Sequence, residues 1–338
     1  MSYPKISIVT PSFNQGKYLE QTILSILNQK YPNLEYIIID GASTDHSLEI
    51  INKYKDRLHY WVSEKDKGQS DAINKGINKA TGELFNWINS DDFLEDGALF
   101  KIAEVFQKHS EKKIFCFGLN YLYGNKKELF TPQNSPNDQV QCFCAPVISQ
   151  QATFFTMDAV RKTGDLNLQL HYSMDYEWWL KFMFLFGNKS IFVSPETIAS
   201  FRIHEEAKTS SGGSNFSNDI ASILFSLCNQ SENNKYSDLL NNIYPINKKY
   251  HFNCNKHTLD AKLIDRMVIS FLLKWKHKVY SKDDFLSIKK IVKQVSFDEI
   301  NLSDKEKKWH KEMTINASPS SWFEFRAKRK LHHLVTGK

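Results

Sequence analysis

Hydrophobic residues in the first ninety positions follow two rhythms in turn. Residues 6–10, 36–40 and 84–88 are short runs dominated by apolar side chains, and residues 59–62 form a weaker run of the same kind. Such runs predict strands buried on both faces. Between them, residues 18–29 place Leu19, Ile23, Ile26 and Leu27 on one helical face, and residues 70–80 do the same with Ala72, Ile73, Ile77 and Ala80. Leu48, Ile51 and Tyr54 mark a shorter helix that Asp45 can cap. Strand and helix in alternation at this spacing predict an α/β fold with a mostly parallel sheet, right-handed crossovers and helices on its faces. Ligands of such sheets gather at the carboxyl ends of the strands. The polar residues fall there, at 10–14, 40–45, 64–71 and 89–92, with a turn expected from Pro11 to Gly16.

Further along, residues 112–123 read as a strand or hairpin, 131–138 as an exposed loop rich in Pro and Asn, and 177–186 as a helix dense in aromatics. Residues 208–218 contain Ser-Ser-Gly-Gly-Ser and are the best linker candidate. Beyond them glycine almost vanishes, lysine rises and helical periods dominate, clearest in residues 258–280 with Leu259, Leu263, Met267, Phe271 and Trp275 in register. The pattern predicts an α/β domain over residues 1–213 and a helical domain over 214–338, without internal repeats.

Composition adds limits. In 338 residues, 41% hydrophobic content supports a packed core, and 13% aromatic content exceeds what a core alone needs. A net charge of +6 suits an anionic partner, such as a nucleoside diphosphate or an anionic membrane surface, and calls for no nucleic acid. Five cysteines without metal-ligand spacing read as reduced thiols. The chain opens straight into a strand, so no signal peptide is expected, and no run approaches the roughly 20 apolar residues of a membrane span. The expected location is cytoplasmic, or peripheral at the inner face of the plasma membrane.

The densest chemistry lies at Trp87-Ile88-Asn89-Ser90-Asp91-Asp92-Phe93, where an apolar strand stops on adjacent carboxylates. Neighbouring charges of one sign are costly unless a cation sits between them. A divalent cation bridging to phosphate oxygens answers that need. A solvated turn with an Asp helix cap is the alternative.

Five segments then occur in one order: Thr10-Pro11-Ser12-Phe13-Asn14, Asp40-Gly41-Ala42-Ser43-Thr44-Asp45, Ser63 to Ala72 with Gly68 inside it, Asn74-Lys75-Gly76, and Asn89-Ser90-Asp91-Asp92. Together they resemble glycosyltransferase family 2, over roughly the first 210 residues. The resemblance implies an inverting enzyme of GT-A fold, of the bacterial surface-polysaccharide type. It would take a nucleotide-sugar donor, a glycan or lipid-linked glycan acceptor, and a divalent metal, Mn²⁺ or Mg²⁺. It implies donor contacts from Pro11, Phe13, Asp40, Gly68, Asp71, Asn74, Lys75 and Asp91, and metal contacts from Asp91, Asp92 and His204. Which of Asp91 and Asp92 is the direct ligand stays open. Phe13 can stack on a base or pack on the following helix, and Lys75 can neutralise a phosphate or stay solvated. Ser173-Met174-Asp175-Tyr176-Glu177-Trp178-Trp179 resembles the family's acceptor-side helix start, which makes Asp175 the catalytic base, a role compatible with capping that helix. Trp178 and Trp179 offer ring faces to a sugar or belong to the core, and Gln151 lies in a segment similar to the family's acceptor region. Phe201-Arg202-Ile203-His204 resembles its closing motif.

Two other readings compete. Nucleotidyl transfer shares the parallel sheet but wants a Gly-rich basic loop after the first strand, and residues 11–16 hold one glycine. A catalytically silent nucleotide-sugar-binding partner would have no need of Asp91, Asp92 and Asp175 together.

Residues 322–335 put Phe323, Ala327, Leu331 and Leu334 on one helical stripe beside Arg326, Lys328, Arg329 and Lys330. Such a helix lies on an anionic membrane or docks on its own domain. If it lies on the membrane, deleting residues 322–335 abolishes sedimentation with anionic vesicles and moves the melting temperature by no more than about 2 °C. A large fall in melting temperature with vesicle binding intact assigns the helix to docking.

Overall fold

In the computed structural model, which describes residues 3–124, 126–132, 139–144, 148–231, 236–253, 259–274, 282–294 and 304–315, the sheet grows outward from a fully buried first strand. β1 (Ile6–Ser12) pairs in parallel with β2 (Leu34–Asp40) on one side and with β4 (Leu84–Trp87) on the other, and β2 pairs in parallel with β3 (Tyr60–Ser63). Every residue of β1 and of β4 is buried, which explains why neither alternates in sequence. Beyond β4 the sheet changes direction. β8 (Thr153–Thr156) runs antiparallel to β4, and β6 (Ile114–Tyr123) antiparallel to β8. The long β9 (Ile191–Ile203) runs parallel to β6 and carries the two-residue β5 (Phe93–Leu94) on its far side. β7 (Lys126–Phe130) closes a hairpin with β6.

Helices α1 (Gly16–Leu27), α2 (Ser47–Tyr54), α3 (Gln69–Lys79) and α4 (Ala98–Lys108) follow the strands of the parallel half. Leu19, Ile23, Ile26 and Leu27 of α1 join Ile6, Ile8, Tyr36, Ile38 and Leu84 in the core. Then come α5 (Gln139–Cys144), α6 (Met157–Thr163), α7 (Met174–Phe186) and α8 (Lys208–Ser211). Backbone packing divides the chain into two units, Met1–Gly213 and Ser214–Lys338. In the second unit α9 (Asn215–Gln230), α10 (Ser237–Ile243), α11 (Ala261–Lys274), α12 (Lys282–Gln294) and α13 (Asp304–Ile315) are described. A forked pair from Arg266 to Glu306, joined by Ser270, is buried there. No helix among the described residues is long and apolar enough to cross a membrane.

The pattern and the structure differ in places. Pro11 and Ser12, expected in a turn, continue β1, because β2 pairs through Ser12–Asp40 and the Gly41 amide donates to the Ser12 carbonyl. Pairing with β4 ends at Val9, so Pro11 lies where β1 has one ladder only, a place that tolerates proline. The expected linker at 208–218 contains α8 and the start of α9. The helix expected at 177–186 starts earlier, at Met174. Of the helix expected at 258–280, α11 is described, and Trp275 lies outside the described residues, as do residues 133–138 and 322–335.

At the amino end of β2, Glu35 is wholly buried and meets Lys5 Nζ at 2.6 Å, the Thr81 amide at 2.6 Å and the Ser7 and Thr81 hydroxyls. Burial alone would raise its pKa, but the contacts with Lys5, Ser7 and Thr81 outweigh it and lower the pKa to about 2. A carboxylate depressed on folding stabilises above its unfolded pKa and loses that stabilisation as pH falls towards the folded value. Glu35→Gln is therefore expected to lower stability by about 2 kcal/mol near neutral pH, with the gap to the parent narrowing below about pH 4. Chemical denaturation across that range reads it, and a gap independent of pH contradicts the assignment.

Candidate active site

The loops after β1 and β2 are laced together at the carboxyl end of the sheet. Asn14 and Ala42 both take left-handed backbone, with φ of 51° and 63°. The Asn14 amide donates to Ser43 Oγ at 2.8 Å, and the Thr44 amide to Asn14 Oδ1 at 2.8 Å. Asp45 accepts the amides of Gly16 and Ser47, the first residues of α1 and α2, and so caps two helices at once. Asp40 is fully buried. Ser43 donates to it through its amide (2.9 Å) and hydroxyl (2.6 Å), and Ser63 through its hydroxyl (2.7 Å). Asp40 thus shapes the loop from which its expected contact with a base or ribose would be made. The open corner lies beside it. Phe13 is 60% exposed. A Cβ at Gly41 would fall 2.6 Å from Asp66 Oδ2 and 3.3 Å from the Phe13 ring, so the missing side chain leaves room for both groups beside the backbone.

The turn Asn89–Asp92 closes with the Asp92 amide donating to the Asn89 carbonyl at 3.0 Å. It sends its two acids in different directions. Asp91 Oδ2 lies 3.0 Å from His204 Nε2 just beyond β9, and the Asp91 carbonyl accepts from Arg202 Nη1 at 2.7 Å. Asp92 is fully buried; Gln151 Nε2 (3.0 Å), Asn89 Nδ2 (3.1 Å) and the Arg202 amide (3.1 Å) donate to it. Burial, then the neighbouring Asp91 charge, push its pKa well above the carboxylate range. From α1, Thr22 Oγ1 lies within hydrogen-bond distance of the carbonyls of Ser90 and Asp92. The Arg202 guanidinium lies over the Tyr18 ring at 4.6 Å and also bonds Gln21. The His204 ring packs on the same Tyr18, with centroids 4.7 Å apart.

Asp175 is the second residue of α7, and its Oδ1 accepts the Tyr176 amide at 2.8 Å. Burial raises its pKa, opposed by that amide and by the charge of Lys208. Lys208, the first residue of α8, donates to Gln69 Oε1 at 2.8 Å and to the His171 carbonyl at 3.1 Å. Gln69 in turn donates to Asn89 Oδ1 at 2.7 Å. The acid turn is therefore joined through Gln69 to Lys208, whose charge also acts on Asp175.

The Glycosyl transferase family 2 model matches residues 7–164. An uncharacterized glycosyltransferase of Mycobacterium tuberculosis is 31% identical over 185 residues, 53% of this chain and 69% of the relative. The chain belongs to glycosyl transferase family 2. A Campylobacter jejuni relative named GalNAc(5)-diNAcBac-PP-undecaprenol beta-1,3-glucosyltransferase is 34% identical over 119 residues, 34% of this chain and 38% of that protein. The chain spans about half the length of some of the curated relatives it matches, 54% in one case. In fold it is similar to S. aureus TarS 1-349 in complex with UDP-GlcNAc, with a TM-score of 0.58 at 13% identity, over 91% of this chain and 90% of that TarS fragment. That likeness bears out the expected GT-A class of mostly parallel sheet flanked by helices.

Within this family 2 chain, Asp91 and His204 come together as one carboxylate and one imidazole. Among the described residues no three His, Cys, Asp or Glu side chains converge on one point. Mg²⁺ and Mn²⁺ at a diphosphate need only one or two protein ligands, the rest being phosphate oxygens and water. The pair fits such an ion, and the buried Nδ1 of His204 has no hydrogen-bond partner among the described residues. Asp92 already accepts hydrogen bonds on both oxygens, so Asp91 is the more available of the two acids.

Other expected contacts also move. Asn74 is buried, with Nδ2 donating to the Leu166 carbonyl and Oδ1 accepting the Leu166 amide, each at 2.9 Å. Both ends of its amide are engaged by Leu166. Lys75 pairs with Glu64 at 2.8 Å and lies 3.6 Å from Asp71, which also accepts the Lys67 amide, so these two side chains balance each other. Gly68, at φ 106°, turns the chain into α3 with its amide on Asp66. Gln151 supports Asp92 in place of an acceptor. Trp178 and Trp179 are each 1% exposed, with indole N–H groups on the carbonyls of Gly164 and Cys142, so neither presents a face to a sugar, a further correction. Glu177 is fully buried and pairs with Lys181 at 3.0 Å. Sequence reasoning gave no individual role to Asp66, Gln69 or Arg202, although Asp66 and Gln69 lie inside the Ser63–Ala72 segment and Arg202 inside the Phe-Arg-Ile-His motif.

Asn74→Ala strips a buried backbone amide and carbonyl of their partners. It is expected to destabilise the protein by about 2 kcal/mol, read as a fall in melting temperature. Nucleoside diphosphate affinity, measured well below the melting range, stays near the parent value. A normal melting temperature with weakened nucleotide binding would restore Asn74 to the donor site.

Proposed function

We propose that the protein transfers one sugar from a nucleoside diphosphate sugar to a hydroxyl of a glycan or lipid-linked glycan in surface polysaccharide synthesis, with inversion at the anomeric carbon. The observation that carries this reading is the Asp91–His204 pair at the carboxyl end of the sheet, with the acid turn joined through Gln69 to Lys208, whose charge acts on the half-buried Asp175. The name of the Campylobacter relative supports a lipid-linked acceptor, and UDP-GlcNAc in the similarly folded TarS supports a nucleotide-sugar donor.

Phe13 offers its exposed ring to the base, beside Gly41 and Asp66. Asp91 and His204 hold the divalent ion. When bound, that ion neutralises charge on the departing diphosphate. Asp175 takes the proton from the acceptor hydroxyl as the oxygen attacks the anomeric carbon. The bond to the diphosphate breaks and its electron pair leaves with the phosphate oxygen. One base and one displacement give inversion, by the logic of inverting glycoside hydrolases. Burial raises Asp175 and so improves its match to a proton in flight, while Lys208 keeps the charged form within reach.

Two measurements test this. Asp175→Asn keeps a hydrogen-bond acceptor at the start of α7, so folding and nucleotide affinity are expected to persist while transfer falls about 10²- to 10⁴-fold. Activity within about tenfold of the parent removes Asp175 as the base. The parent's transfer rate is also expected to fall as pH drops through a value above the usual carboxylate pKa of about 4, because only the ionised carboxylate accepts the proton. In the second measurement, Asp91→Asn abolishes the Mn²⁺ dependence of nucleoside diphosphate binding while melting stays unchanged. Persistence of that dependence moves the metal elsewhere.

A further inference from the structure

The hydrogen bonds between α8 and the acid turn run in one direction. Lys208 Nζ can only donate, so Gln69 must turn its oxygen towards it. That places Gln69 Nε2 against Asn89, which must then present its own oxygen and send its Nδ2 to Asp92. The cation at one end orients both amides in turn, and at the other end Asn89 Nδ2 lies 3.1 Å from Asp92. Neither amide can flip without setting like groups face to face at two contacts.

The relay crosses elements that are far apart in sequence. Lys208 follows His204 by four residues, on the segment that leaves β9. Gln69 is the first residue of α3, and Asn89 opens the acid turn. Lys208 also lies close enough to Asp175 to favour its ionised form. The segment that supplies one half of the Asp91–His204 pair is thereby fastened to the turn that supplies the other half.

We propose that Gln69 is a positioning residue, a one-way latch that fastens residues 205–211 to the acid turn and so holds His204 opposite Asp91. The proposal rests on the reading of this site as a nucleoside diphosphate sugar site. It adds that the site is assembled by a side chain that touches neither metal nor sugar. Asn89 belongs to the same device: an Asp there would still accept from Gln69 but would set a second carboxylate against buried Asp92.

The two ends of the latch can be separated by mutation. Gln69→Leu removes both contacts. Gln69→Glu keeps an acceptor for Lys208 but has no proton for Asn89, which must then flip and turn its oxygen on Asp92. Amide hydrogen exchange on the ligand-free protein reads the fastening directly. Gln69→Leu is expected to raise exchange across residues 205–211 by about tenfold, the worth of one ordinary hydrogen bond, and Gln69→Glu to leave it near the parent rate. Mn²⁺-dependent binding of UDP and GDP is then expected to weaken about tenfold in both variants, with unchanged melting temperature. Lys208→Met combined with Gln69→Leu is expected to cost less than the sum of the two single losses, because both break the Lys208–Gln69 contact.

Parent-like exchange and binding in Gln69→Leu, or losses that simply add in the double variant, overturn the latch. If the parent binds neither nucleotide, the functional reading fails instead, and the exchange measurement still decides whether the segment is fastened.

Discussion

A carboxylate sealed from water beside another carboxylate is the constraint around which this molecule is arranged. Asp92 has no exposed surface and follows Asp91 directly. It is tolerable only because donors arrive from several directions: Gln151 from the turn before β8, Asn89 from its own loop, and the backbone of Arg202 from β9. Thr22 on α1 holds the carbonyls of the same turn. Each donor fixes one element of the fold against the end of β4. Losing any one leaves part of a buried acid unmatched, which costs more than the hydrogen bond itself contributes. The gain is geometric. With Asp92 anchored inward, Asp91 is left on the outer side of the turn, where His204 meets it.

The parallel half of the sheet was legible because its strands are short apolar runs between helices of clear period, and each element could be read locally. The antiparallel half was not. β8 enters between β4 and β6, a pairing set by contacts that no local pattern encodes. The same limit separates the expected site residues that a local pattern could place from those whose partners lie far away in sequence. Asp91, Asp175 and His204 sit at strand and helix ends, where the order of the motifs locates them. Asn74 was misplaced because its partner, Leu166, is 92 residues away. Trp178 and Trp179 misled for another reason. α7 is apolar on nearly every side, so its period could not show which rings face inward. Asp40 looked available as a strand-end carboxylate, but Ser43 and Ser63 claim it, and serines at those spacings carry no recognisable signature.

The family relationship and the geometry support each other without overlapping. The matched region, residues 7–164, ends before Asp175, His204 and Lys208. The half of the site that would act on the acceptor is thus argued from the structure and from motif resemblance, and the donor half also from the family match. The chemistry that unites them is ordinary: one exposed ring, one carboxylate–imidazole pair and one carboxylate made more basic by burial.

The sheet has chemistry at one edge only. At the other, Glu35 keeps its charge down to about pH 2 in the company of Lys5 and Thr81, whereas Asp175 gains its proton at a higher pH than an ordinary aspartate. If Asp175 is the base, acidification would silence the working edge while the clamp at the opposite edge is still closed. Inactivation by acid would then be a protonation without an unfolding, undone as soon as neutrality returns.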